Sequence, residues 1–464
     1  MDSAKKEILD GDIKLLLVKY SIPATVIFLS NVMYNLINGI FIGNQLAGSL
    51  GMAALSVVFP IQQIILALGQ AIGIGIASIV SRSLGAGDSE RAQKAIGTGI
   101  TSSVLMGIII MVVGIIFIEP ILRLFGASDA IMPFAVVFFR ITLYCSAFFI
   151  FSIVCNGIIQ AKGHVHIAMI SMVIGPLVNI PLDYMLITRM NFGIKGAAIA
   201  NDIAQIICFL FLIIYLAKNR KNLSFKVKNL TIDIGVFIEA ISLGLSTFMT
   251  QFAYGILAIV LNNSLLIYGH SDLYLSAFGI YTRVFAFITI PMYGIRQALQ
   301  PIIGYNYGAK KYNRVMQSIK ISIIASVMIS LVFLIMIICF TRIIAGVFTH
   351  DQALLSITVR ILRIIMLMSP LVGVQVLGAS FFQYIGKPRP ALCLSMMKQF
   401  IFLIPLLLIL PVFFNVTGIL AAVPLADFMT ATITFIFLRF EVKQLRRLNS
   451  ESENCLNVEM ESAV

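Results

Sequence analysis

A single carboxylate, Asp183, stands inside the apolar run PLVNIPLDYMLI, residues 176–187. Asn179 lies one helical turn before it, on the same face. Pro181, between them, withholds a backbone donor and can bend a helix, which opens a carbonyl to an ion or to water. A carboxylate in such a setting could take up and release a proton. With neighbouring amide oxygens it could instead hold sodium. The plainer alternative is a neutral aspartic acid that hydrogen-bonds asparagines and pins two helices together. A second polar face lies upstream, where the spacing of Asn31, Asn35 and Asn38 places all three on one side of a helix. The two faces could meet.

The elements that must position these groups are membrane helices. The chain has 464 residues, of which 59% are hydrophobic and only 11% charged, and its mean hydropathy is +1.01. A soluble domain is about one quarter charged. Here too few charges are available to cover a soluble surface. Twelve apolar segments of spanning length are predicted, near 15–38, 53–78, 96–118, 133–156, 165–188, 194–216, 236–262, 275–300, 317–340, 356–382, 391–413 and 416–438. They are too long for strands of a membrane barrel. The fold class is therefore an all-α polytopic membrane protein. The first residues read as a charged, amphipathic lead-in on the cytosolic side, and the tail from Glu441 reads as polar and loose.

The net charge of +13 does not point to nucleic acid, because its distribution alternates. Lysines and arginines crowd the connections after predicted helices two, four, six, eight, ten and twelve, whereas the opposite loops hold only Arg123, Arg189, Lys195 and Arg342. This pattern places both termini in the cytoplasm, with the basic loops beside anionic lipid. The six cysteines are scattered without a CxxC pair and read as small apolar fillers. No HExxH and no phosphate-binding GxxxxGK[ST] occurs, and nothing resembles a nucleotide-binding domain. The chain does not read as an enzyme, and an ion gradient is the expected source of energy.

The chain repeats itself. RSLGAGDSERAQKAI (82–96) resembles YNYGAKKYNRVMQSI (305–319), and NGIIQAKG (156–163) resembles ASFFQYIG (379–386), placing Gln160 over Gln383. Both pairs share an offset of 223 residues. Six predicted helices per half make the repeats parallel, an arrangement suited to alternating access. The domains read as a lead-in 1–14, an amino-terminal six-helix bundle 15–218, a cytosolic linker 219–235, a carboxyl-terminal six-helix bundle 236–440 and the tail 441–464. The offset carries Asp183 onto Leu406, so the second half lacks a carboxylate at that position. Asp202 and Asp427 fall in matching regions of predicted helices six and twelve, and Glu239 is expected near the cytosolic start of helix seven. Arg296, Gln297 and Gln300 mark the cytosolic end of helix eight.

YNLINGIFIG (34–43), ASIVSRSLGAGD (77–88), GPLVNIPLDYMLI (175–187), GIKGAAIA (193–200) and QPIIGYNYGAKKYNRV (300–315), with the Gln160/Gln383 pair, resemble the multidrug and toxic compound extrusion (MATE) family. The likeness covers about 15–440, and is to MepA-like and DinF-like bacterial members. It implies twelve transmembrane helices in two parallel six-helix bundles about a V-shaped cleft. It also implies a secondary antiporter that exports cationic or amphiphilic drugs and dyes in exchange for protons or sodium, without a cofactor. The expected setting is the plasma membrane, as a monomer in lipid with no nucleic-acid partner. The ion-coupling set is then Asp183, Asn179, Asn38 and Asn35, with sodium at Asp183 as one possibility. Asn38 stands where many relatives carry Asp, which puts a two-carboxylate mechanism in question. Cleft candidates are Asn31, Tyr34, Gln63, Asn156, Gln160, Tyr184, Gln251, Tyr254, Arg296, Gln297, Gln300 and Gln383; tyrosines among them could hold a flat cation. The alternatives are a flippase for lipid-linked or amphiphilic substrates and a passive channel or uniporter. A flippase would want more internal cations than the four arginines Arg283, Arg296, Arg360 and Arg363.

Overall fold

A computed structural model of the chain describes residues 3–45, 49–219, 230–269 and 271–462, with the side chains at 3–4, 31, 34–45, 49–50, 52, 272 and 452–462 outside the described set. The regular structure among the described residues is helical. It comprises α1 (Ser3–Asp10), α2 (Ile13–Gln45), α3 (Ser49–Gly85), α4 (Ser89–Ile116), α5 (Ile118–Leu124), α6 (Met132–Tyr144), α7 (Ser146–Ala161), α8 (Val165–Asp183) and α9 (Gly193–Lys218). Then follow α10 (Ile234–Gly269), α11 (Asp272–Gly308), α12 (Tyr312–Gly346), α13 (Gln352–Ile365), α14 (Ser369–Tyr384), α15 (Pro388–Met396) and α16 (Ile404–Ser462). Among the described residues ten helical stretches are long and apolar enough to cross a membrane, or eleven when α6 and α7, bent by 52°, count as one. Leucine, isoleucine, valine and phenylalanine side chains remain exposed along them, as lipid-facing helices require.

Two sequence expectations need correction. The single span 133–156 is broken at Cys145 (φ −97°, ψ 5°). At the break the Ser146 hydroxyl donates to the Leu143 carbonyl at 2.8 Å and reaches the Gly107 carbonyl of α4 at 3.0 Å. Such back-bonding to the preceding turn, shared with a neighbouring helix, bends a helix without proline. The tail is not loose, because α16 runs on to Ser462. No glycine or proline follows Pro424 in it. Glu441, expected in a polar tail, is buried and accepts from Lys387 Nζ at 2.7 Å. The expected separation of 391–413 from 416–438 does occur, at Asn415, whose φ of 49° and ψ of −137° interrupt the helix.

The chain divides into two compact units, one of Met1–Glu7 with Val26–Phe248 and the other of Ile8–Thr25 with Met249–Val464. The first half of α2 thus packs within the unit that contains the later helices, and the first half of α10 within the unit that contains the earlier ones. The 223-residue offset reappears in the backbone. Thr25 and Phe248, the two exchange points, are separated by it. The fourth-helix break at Cys145 recurs at Met368, with φ −98° and ψ 11°. Gly163 and Gly386 both take positive φ, of 85° and 82°. Each sits in the same helix-ending turn, closed by His164 N to Ile159 O at 3.1 Å and by Lys387 N to Phe382 O at 2.8 Å.

Within the first unit α3 and α10 cross backbone to backbone. A Cβ on Gly75 would overlap the Ala240 carbonyl, and one on Gly244 would overlap that of Ala71. Each helix thus presents two small residues four apart, the spacing that permits close approach in a membrane. Immediately before Ala240, Glu239 accepts from Arg82 Nη2 at 2.8 Å and Arg91 Nη2 at 2.7 Å, tying the ends of α3 and α4 to α10. Within the second unit Gly294 of α11 meets Thr25 and Ser21 of α2. Ser21 and Gly294 stand one offset from Gly244 and Ala71, so the two crossings are copies of one contact.

Candidate functional site

The first unit carries its polar residues on α7, α8 and α9. Asn179 is 1% exposed and Asp183 3%, so the pair expected on one face is held inside the unit. Pro176 and Pro181 stay within an otherwise continuous α8. Lacking N–H groups, they leave the carbonyls of Met172 and Leu177 without their usual helical donors. Beyond Asp183 the backbone widens into a π-helix, Tyr184–Arg189. Wide turns of this kind gather at functional positions because they free carbonyls and rotate side chains. Gly196 of α9 lies against the Leu186 carbonyl there, its Cβ position 3.1 Å away. Tyr184 is exposed, and its hydroxyl and ring both face Arg189, with Nε 3.3 Å from the hydroxyl. Asn156 and Gln160 are buried on α7, and Gln63 on α3 is half-buried. Asp202 of α9 is also buried, beside the thiol of Cys145.

The side chains of Asn31, Tyr34, Asn35 and Asn38 lie outside the described residues, although the backbone that carries them is helical within α2.

The second unit holds a different cluster, which the sequence only partly revealed. Lys398 Nζ lies 2.6 Å from Asp427 Oδ1, with side-chain exposures of 18% and 4%. Gln375 of α14 donates to the Asp427 carbonyl at 2.8 Å and to its Oδ1 at 3.1 Å. Lys398 sits in a second π-helical turn, Met397–Leu403. The sequence matches Asp427 to Asp202 but singles out neither Lys398 nor Gln375. The reading that internal cations are limited to four arginines therefore fails. Lys398 is a half-buried cation in an ion pair, while Arg283 is exposed and Arg360 bonds Thr417 Oγ1 at 3.2 Å on an exposed face. A lysine in the apolar run MMKQFIFL was the available signal.

Two of the cleft candidates do come together in this unit. Tyr254 of α10 hydrogen-bonds Tyr293 of α11, and Arg296 lies beside both. Tyr384 of α14 donates to the Arg296 carbonyl at 3.0 Å. Gln297 is half-buried, and Gln300 and Gln383 are buried. Gln251 is half-buried on α10.

One family model, MatE, matches the chain twice, over residues 23–185 and 245–409. The chain belongs to the MATE family. The two matched stretches begin 222 residues apart, in keeping with the repeat seen in sequence and backbone. Multidrug export protein MepA of Staphylococcus haemolyticus (strain JCSC1435) is 28% identical over 444 residues, 96% of each chain. Its counterpart in Staphylococcus aureus (strain MRSA252) is 27% identical over 91% of this chain and 92% of that one. Among solved structures, an outward-facing multidrug resistance MATE family transporter of the MOP superfamily superposes with a TM-score of 0.89, at 24% identity, over 96% of this chain and 99% of that chain. A MATE protein in a bent conformation gives a TM-score of 0.91 at 23% identity, over 97% of this chain and 100% of that one. The fold is thus that of a MATE transporter, and the sequence places the chain in the family's MepA-like bacterial branch.

Proposed function

We propose that this MATE protein is a secondary active multidrug exporter, driving small cationic or amphiphilic compounds outward in exchange for protons or sodium. The observation that carries the reading is end-to-end similarity to multidrug export proteins combined with a buried Asp183 on a proline-bearing, π-bulged helix. Asp183 and Asn179, with Asn35 and Asn38, are the coupling set. Ion binding there shifts the balance between two conformations of the carrier. The coupling ion is a transported partner, so no resident cofactor is needed.

The membrane arrangement is twelve spans in two parallel six-helix bundles, 15–218 and 236–440. The interruption at Asn415 within the stretch Pro388–Glu451, beside the ten or eleven candidate spans among the described residues, supports this reading. Both termini face the cytoplasm of a cell with this protein, as a monomer, in its plasma membrane. Cysteines introduced at Lys310 and at Asp272 test the orientation. The first is expected to label from the cytosolic side alone and the second from outside. Labelling of both from one face would break the parallel arrangement.

Efflux of a cationic dye, ethidium, from cells expressing the protein tests the activity. Export faster than in control cells, abolished by an uncoupler or by sodium removal, is the expected result. Equal efflux from both cell types would overturn the reading.

A further inference from the structure

The second unit contains a charged cluster that coupling at Asp183 leaves unused. Lys398 and Asp427 form its ion pair, and Asp427 is held independently by Gln375. Arg296 makes no ion pair among the described residues, although it is half-buried in an apolar span. Tyr293 lies near both Lys398 and Arg296, and Tyr254 bonds Tyr293. The cluster therefore counts two cations against one carboxylate among its described members. One helical turn beyond Arg296, Gln300 is 3% exposed and its Nε2 has no hydrogen-bond partner among the described residues. A buried donor without an acceptor is destabilising, so a ligand oxygen there would be favoured. Tyr254 is exposed, and Tyr293, Arg296 and Lys398 are half-buried.

We propose that Arg296, Lys398 and Gln300, framed by Tyr254 and Tyr293, form a second binding site that takes an aromatic compound bearing one carboxylate. The excess positive charge selects an anion, the guanidinium offers a planar fork of donors for a carboxylate, and the tyrosine rings accept a flat apolar body. Asp427 is the resident counter-ion of Lys398. When the ligand's carboxylate takes the ammonium, Gln375 keeps Asp427 hydrogen-bonded, so the exchange leaves no bare carboxylate. The site differs in place and in charge preference from the coupling set, and it does not depend on the export reading.

The test is calorimetric titration of the full-length protein in phosphatidylcholine nanodiscs with 1-naphthoate, and with 1-naphthylmethylammonium as a probe of matching size. Saturable binding of 1-naphthoate is expected, about tenfold tighter than the amine. Arg296→Gln should weaken it about tenfold, because one fixed cation is lost. Asp427→Asn should tighten it severalfold, since a competing carboxylate disappears. Lys398→Gln would leave Asp427 unpaired and risks misfolding. The double variant Lys398→Met with Asp427→Leu removes the pair without leaving either charge unmatched and should also lose 1-naphthoate. Tighter binding of the amine would overturn the proposal, as would equal 1-naphthoate affinity in wild type and in folded Arg296→Gln protein.

Discussion

Asp183→Asn is expected to reduce uphill transport to background while leaving folded protein in the membrane. The substitution keeps the volume and most of the hydrogen-bonding capacity of the side chain but removes its titratable charge. If Asp183 served only to pin α8 to its neighbours, Asn would replace it with little loss. If it carries the coupling ion, Asn cannot. The readout that separates these roles is a pair of measurements in proteoliposomes. Exchange of labelled for unlabelled ethidium without a gradient should persist in the variant, whereas accumulation against a gradient should vanish. Loss of both, with a lowered melting temperature, would mark a structural residue. The companion variant Asn38→Asp adds a second carboxylate to the proposed coupling set. Two interacting carboxylates titrate as a pair, so the pH optimum of transport should move, not merely its rate.

The second large effect is on folding. Gly75→Leu, or Gly244→Leu, is expected to cut the yield of monodisperse protein by about tenfold or more, because overpacking a rigid contact costs on the order of 1–3 kcal/mol or more. At both positions the obstructing atoms belong to a facing helix backbone, at Ala240 and Ala71. They cannot rotate away as a side chain could. Gly255 on the same α10 has open space about it, so Gly255→Leu serves as the control and should keep its yield. Size-exclusion profiles of fluorescent fusions report the comparison. Equal profiles for all three variants would remove the close crossing of α3 and α10.

Much of this protein is legible in its sequence for reasons that can be named. Membrane helices announce themselves because every lipid-exposed residue must be apolar, and the 223-residue offset is visible because helix-ending turns such as Gly163 and Gly386 need residues that tolerate positive φ. Other features leave weaker traces. The break at Cys145 depends on a serine hydroxyl finding the carbonyl of Gly107 on another helix, a contact remote in sequence. The exchange of the first halves of α2 and α10 between units is likewise a matter of tertiary packing, although Ala71, Gly75, Ala240 and Gly244 carried its small-residue signature. The Lys398–Asp427 pair joins residues from two helices, and only the cost of a lysine in an apolar run marked one end of it. Asp183 stood out because a carboxylate among prolines and aliphatic residues has few ordinary explanations. Its burial beside Asn179 agrees with the sequence, whereas the asparagines of α2 that would complete the set lie outside the described side chains.

The most direct test of the central claim is ethidium movement in proteoliposomes that contain the purified wild-type protein and Asp183→Asn, with an imposed proton gradient, an imposed sodium gradient or neither. The account predicts that wild-type protein concentrates ethidium when at least one gradient is present, that it only equilibrates the dye when both are absent, and that Asp183→Asn never concentrates it. Uphill transport by Asp183→Asn at the wild-type rate, or wild-type accumulation indifferent to both gradients, would contradict it.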